Sequence, residues 1–105
     1  MNYGFADKLR KDDPRRKKFK KQRKKRGFDD TELWSLDHAI IKFTIPRLKA
    51  FRKNHCGYPG DLTDKLWNEI LDKMIYGLEH YEDYNDEKRD EGLDFFFEYF
   101  GHLWS

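Results

Sequence analysis

Cysteine is almost missing from this chain. The single Cys56 excludes an intrachain disulfide and fits a reducing compartment. Long apolar runs are missing too. None approaches the roughly 20 residues of a membrane span, and the opening MNYGFADKLRKDD lacks the apolar core of a signal peptide. Cytosol is the expected location. The spacings that mark metal or nucleophile chemistry are also absent. His38, His55, His80 and His102, with Cys56, Asp37 and Glu79, carry metal-capable atoms, but no H-E-x-x-H or C-x-x-C spacing gathers them. Cys56 beside His55 would need an orienting third group to act as a thiol–imidazole pair, and none is evident. No metal, no cofactor and no enzymatic activity are expected.

What the chain does contain is charge and aromatic surface, 40% and 17% of its 105 residues. Disordered chains are poor in aromatics, so the composition implies a compact aromatic core under a highly charged exterior, one domain at most. The net charge of +2 conceals a split. Residues 1–28 hold thirteen Lys/Arg against three Asp, a net of +10. Residues 29–105 hold nine Lys/Arg against seventeen Asp/Glu, a net of −8. Such asymmetry implies an arm that binds phosphates or headgroups, or one that docks on an acidic body.

Local signals divide the chain into a basic arm over residues 1–26 and a helical domain over 27–105. Asp13-Pro14 resembles a cap followed by proline at the first helical position, and RRKKFKKQRKKR can continue as helix where anions or acidic side chains neutralise it. Only Phe19 interrupts its polar run, which leaves no face to bury. Gly27 ends the arm. A second helix is expected from Asp29 or Asp30 to Lys53, opened by the capping-box pair Asp29 and Glu32. On a 100° projection Leu33, Leu36, Ile40, Phe43, Thr44 and Phe51 share its apolar arc, and Pro46 should kink it. NHCGYPG is turn chemistry. The next helix, capped by Asp61 or Thr63, carries Leu66, Trp67, Ile70, Leu71, Met74, Leu78 and Tyr81 at spacings of three and four. A last helix places Leu93, Phe96, Phe97, Phe100, Leu103 and Trp104 on one face, with Phe95 opposite. The expected fold is all-α, a small antiparallel three-helix domain with a basic N-terminal arm.

With RGFDDTELWSLD, IPRLKAF, GYPG, LTDKLWNEILDKMIYGLE and FEYFGHLW in place, residues 26–104 resemble a family of small phage proteins. Its members share an RG(Y/F)SD–WSLD opening, a GYP turn, an EW–EIL–I–GF helix and an FGKYF–LW-like end. This chain departs in having Asp-Asp where Ser-Asp is common. The resemblance implies a viral accessory gene expressed in the cytoplasm of an infected bacterium. It transfers no activity to any residue.

Three groups of residues are candidates for binding. Asp37 and Arg47 fall on the apolar arc of the second helix, where a buried charge needs a partner. They read either as ligand-binding groups, with Lys42 beside them, or as internal ion pairs. Arg15, Arg16, Lys17, Lys18, Lys20, Lys21, Arg23, Lys24, Lys25 and Arg26 form the anion-binding candidate, suited to salt-sensitive, sequence-independent contact with nucleic acid. Phe95, with Tyr99 at the border of its face, is the candidate contact for a homo-oligomer or partner. The expected function is that of a phage-encoded binding protein acting on a host process. It would interfere with antiviral defence by sequestering an anionic nucleotide or blocking a host protein. The alternatives are nucleic-acid binding through the arm and a small hydrolase using Asp37.

Overall fold

In the computed structural model residues 3–104 are described, and all their regular structure is helical. A 3-10 turn at Ala6–Lys8 precedes α1 (Arg15–Arg26), α2 (Thr31–Trp34), α3 (Leu36–Asn54), α4 (Asp64–Glu79) and α5 (Glu87–Glu98), and a second 3-10 turn spans Phe100–His102. The chain divides into two compact units, Met1–Phe43 and Thr44–Ser105, and α3 contributes residues to both. Met1, Asn2 and Ser105, which the ranges 1–26 and 27–105 include, lie outside the described residues.

In the first unit, α1 starts where the Asp13 carboxylate accepts the Arg15 backbone N–H at 2.9 Å. It stops at Gly27, whose φ of +86° is the left-handed cap that glycine adopts without steric cost. Its one apolar side chain, Phe19, is buried and meets Trp34 edge-on at 5.9 Å. That corrects the expectation that this segment has no face to bury. A single ring suffices as an anchor because arginines flank it on the same side.

The capping-box residues do bond as their spacing suggests. Glu32 Oε2 accepts the Asp29 N–H at 2.8 Å, and Asp29 Oδ1 accepts the Thr31 N–H at 2.8 Å. The Thr31 hydroxyl donates to the same Asp29 oxygen and accepts the Phe5 N–H at 2.9 Å. Residues without any periodicity are thereby tied to the start of α2.

The continuous helix expected to Lys53 is broken at Ser35, where φ is −142° and ψ 77°. The Ser35 carbonyl then accepts the Ala39 N–H at 3.1 Å and opens α3. Leu33, Leu36, Ile40 and Phe43, expected in the core, are exposed. With Tyr3, Phe28 and Ala39 they line an open apolar groove of about 330 Å³. α3 continues through Pro46.

In the second unit, Thr63 caps α4 by accepting the Leu66 N–H at 3.2 Å. Trp67, Leu71, Met74, Ile75 and Leu78 form its buried stripe. α5 runs antiparallel to α4. Gly77 opposes Gly92 at the crossing, the Tyr81 carbonyl accepts from Arg89 at 2.7 and 3.0 Å on one side, and Trp67 meets Tyr99 at 5.7 Å on the other. A Cβ on Gly77 would stand 2.7 Å from the Leu93 nitrogen, and one on Gly92 would stand 2.9 Å from the Gly77 Cα. No other residue type allows the two backbones to approach so closely.

That contact fixes the rotation of α5. The buried residues are Gly92 and Phe96, with Leu93, Phe95 and Tyr99 half-buried. Phe97, expected in the core, is 71% exposed. Phe95 was expected on the opposite face, yet it lies 5.6 Å below the Lys73 ammonium and 6.2 Å from the Tyr99 ring. A stripe centred on the phenyls alone misses the role of Gly92 and is turned away from the true contact. Beyond Glu98 the backbone leaves the α-helix, so a 100° projection no longer places Phe100 or Trp104.

Candidate functional site

α1 carries ten basic side chains, and their chemistry divides by face. Measured at about 100° per residue, Arg15, Arg16, Phe19, Gln22, Arg23 and Arg26 occupy one side, while Lys17, Lys18, Lys20, Lys21, Lys24 and Lys25 occupy the other. Every arginine lies on the first side and every lysine on the second.

The arginine side is bound to the chain itself. Arg15 forks onto Asp13 at 2.8 and 3.1 Å. Arg16 donates to the Leu9 carbonyl at 2.7 Å. Gln22 donates to Asp30 Oδ2 at 3.0 Å and accepts the Asp30 N–H at 2.9 Å. Arg23 meets Asp29 Oδ2 at 2.5 Å. Arg26 donates to Asp30 Oδ1 at 2.6 Å and to the Phe28 carbonyl at 3.1 Å, and its guanidinium covers the Phe28 ring at 4.4 Å. The planar, multi-donor guanidinium suits such fixed pairs better than an ammonium does.

The carboxylates that hold this side stay ionised at neutral pH. Burial pushes Asp29 upward, but hydrogen bonds from Thr31 and Arg23 outweigh it and leave the group below the usual carboxylate range. Hydrogen bonds from Gln22 and Arg26 lower Asp30. A hydrogen bond from Arg15 lowers Asp13.

The lysine side faces outward. Lys17, Lys20, Lys21, Lys24 and Lys25 are exposed, and among the described residues none of them forms an ion pair. Lys18 alone reaches a carboxylate, Asp30, at 3.8 Å. Lys17, Lys18, Lys21 and Lys25, with Pro14 and Gln22, edge a shallow groove of about 420 Å³. Asp29 and Asp30 thus organise the face without belonging to it, and Gln22 stands at its border. The alternation of Arg and Lys in RRKKFKKQRKKR carries this division, and a reading by composition alone overlooks it.

The other candidates are dispersed. Asp37, Lys42 and Arg47 are exposed on α3 rather than buried on an apolar arc. Asp37 sits in the first turn, its Oδ1 accepting the His38 N–H at 2.9 Å, where a carboxylate suits the helix dipole. Asp37 and Lys42 belong to the first unit and Arg47 to the second. Phe95 and Tyr99 are half-buried in the α4–α5 contact, whereas Phe97, Phe100 and Trp104 are 71%, 63% and 77% exposed. His55 is packed beside Phe51, with Nε2 2.7 Å from Asn68 Oδ1. Among the described residues no three His, Cys, Asp or Glu side chains cluster as metal ligands, and no helix is long and apolar enough to cross a membrane. No family model, curated protein or solved structure matches the chain.

Proposed function

We propose that this is a non-enzymatic phage accessory protein that acts by occupancy, holding a phosphate-bearing ligand on the lysine face of α1. One observation carries the reading: five exposed lysines share one side of a helix and, among the described residues, meet no carboxylate, while the arginines of that helix are engaged within the chain. Cations left unneutralised on a preformed helix are available to phosphates, and little ordering is needed when the ligand arrives. The resemblance to small phage proteins supports an intracellular host process as the target, with antiviral defence the specific process inferred. In this reading the C-terminal half of α3 with α4 and α5 forms the antiparallel three-helix domain, and α1 is its basic arm. The pairs Lys49–Glu79 at 3.2 Å, Arg52–Asp72 at 3.0 Å and His55–Asn68 at 2.7 Å, which run in opposite directions along α3 and α4, support that arrangement.

The test is a low-salt binding assay with fluorescent polyanions, comparing the native chain with a variant in which Lys17, Lys20, Lys21, Lys24 and Lys25 are all glutamine. Binding lost in the variant with far-UV ellipticity unchanged supports the reading. Equal binding by both proteins refutes it.

A second reading rests on the exposed aromatics Phe97, Phe100 and Trp104. Aromatic side chains are enriched in the buried centres of interfaces. The second unit would then contact a host protein or another copy of the chain through this surface. Light scattering of wild type and Phe97→Asp tests self-association. A strictly monomeric wild type at high micromolar concentration removes the homo-oligomer.

A further inference from the structure

The lysine face has a shape as well as a charge, and the shape selects among phosphate ligands. Building on the reading that this face holds phosphates, we infer that its ligand is the backbone of double-stranded DNA, with α1 laid along the major groove. Around the helix, Lys17, Lys21 and Lys24 form a crest, Lys20 lies on one flank, and Lys18 and Lys25 lie on the other. The whole arc spans about 160° at 100° per residue. Along the axis, Lys17 and Lys25 are about 12 Å apart. An α-helix with its side chains is roughly 10–12 Å across, and the major groove of B-form DNA is roughly 12 Å wide and 8.5 Å deep. A helix seated there places its two flanks against two different phosphate strands and its crest over the groove floor. Lysines on both flanks and along the crest match that environment.

Other phosphate ligands fit less well. A mononucleotide or cyclic dinucleotide needs a concave site that covers most of its surface, and the groove edged by Lys17, Lys18, Lys21 and Lys25 is shallow, with each of those lysines exposed. Single strands are held by aromatic side chains that stack on bases. The only aromatic of α1 is Phe19, buried on the opposite side. The major groove of A-form RNA is too deep and narrow for side chains to read. The chemistry also sets the specificity. With the arginines and Gln22 engaged by groups of the chain itself, the remaining outward groups are flexible point charges without the forked geometry that reads a base edge. Binding is therefore independent of sequence.

Fluorescence anisotropy tests this with two unrelated DNA duplexes, a duplex RNA, a single-stranded DNA and a cyclic dinucleotide, each titrated across a range of salt. Both DNA duplexes should bind equally and more tightly than the other ligands. Their log–log salt dependence should have a slope of about −2.7, corresponding to three phosphates neutralised by the flank lysines Lys18, Lys20 and Lys25. Lys20→Gln with Lys25→Gln removes one lysine from each flank and should flatten that slope by about 2, with circular dichroism unchanged. Equal affinity for single strands or duplex RNA overturns the duplex assignment and leaves the phosphate reading standing. So does saturable binding of the cyclic dinucleotide without duplex binding. An unchanged salt slope in the double variant overturns the groove geometry. No binding to any of these polyanions at low salt overturns both the inference and the reading beneath it.

Discussion

Among the described residues, the most deeply buried side chains of the first unit are Asp29 and Thr31, and those of the second are Trp67, Leu71 and Met74. One interior is organised by a carboxylate that receives Arg23 and both donors of Thr31. The other is organised by apolar volume and by two glycines at a helix crossing. The contrast follows from what each sequence offers. α1 has one apolar residue among twelve, so hydrophobic burial alone cannot fix it, and fixed ion pairs supply the remainder. α4 carries a full apolar stripe, and its polar residues serve at its ends and exposed edge. Order in the first unit is therefore sensitive to ionisation, and order in the second to shape.

The largest expected effect tests the shape side of this contrast. Gly92→Ala places a methyl within 2.9 Å of the Gly77 Cα and closer still to the Lys73 carbonyl, both of which are backbone and cannot swing aside. The cost should be about 3 kcal/mol, near the top of the range for overpacking. Thermal unfolding followed by near-UV circular dichroism measures it. A loss below about 1 kcal/mol would mean that α5 shifts along α4 with little resistance.

Asp29→Ala tests the charge side and should cost about 2 kcal/mol, because the buried Thr31 donors and Arg23 lose their acceptor. Hydrogen exchange separates the units here. Amides of α1 should lose protection while those of α4 keep theirs. Uniform loss along the chain would contradict a division of chemistry between the units.

Acid should distinguish the units without mutation. Asp13, Asp29 and Asp30 all sit below the ordinary value of 3.8 in the folded chain. A carboxylate lowered by folding contributes stability that is fully present above its unfolded pKa and lost as pH falls through the folded one. Protection of α1 should thus persist down to about pH 4 and fall below it. The second unit has one such lowered carboxylate, Asp86, which caps α5 and accepts the Tyr76 hydroxyl at 2.5 Å. Its α5 terminus should fray in the same range while the α4 stripe remains protected. Loss of α4 protection before that of α1 would reverse the assignment.

Legibility in the sequence follows the same division. The α4 stripe, the Thr63 cap and the close of α1 at Gly27 are local signals, and the structure realises them except at Leu66, which was expected in the stripe and is exposed at its edge in the first turn of α4. The Asp29–Glu32 box is local too, but its burial depends on Arg23 and Phe5, which no spacing rule links to it. The break at Ser35 carries no proline or glycine to announce it, and the arc shared by Leu33, Leu36, Ile40 and Phe43 survives it but lines an open groove, because a projection gives which residues share a face and not what covers them. The Arg–Lys division of α1 is fully written in the sequence. It becomes meaningful once Asp29 and Asp30 show which side is inward. The rotation of α5 was hidden because a glycine contributes nothing to a hydrophobic pattern, yet Gly92 is where α5 touches α4 most closely.

The smallest expected effect bears on that rotation. Three consecutive phenyls, Phe95, Phe96 and Phe97, occupy different environments on α5: half-buried, buried and 71% exposed. Phe97→Asp should change stability by no more than about 0.5 kcal/mol, as expected for a surface position. Helical content should stay the same, because the side chain leaves the α4 contact undisturbed. Phe96→Ala is the matched control. Phe96 is 8% exposed and meets the Phe97 and Phe100 rings edge-on at 5.8 and 5.7 Å, so its truncation should cost about 3 kcal/mol. Comparing the two variants by chemical denaturation isolates the face assignment from the general loss of a ring. If Phe97→Asp proves as damaging as Phe96→Ala, Phe97 belongs to the interior and the Gly77–Gly92 crossing does not set the rotation of the helix. If Phe97→Asp leaves stability intact but dissolves an oligomer, the exposed ring is a contact between molecules, and the charge-organised and shape-organised units have separate binding surfaces as well as separate interiors.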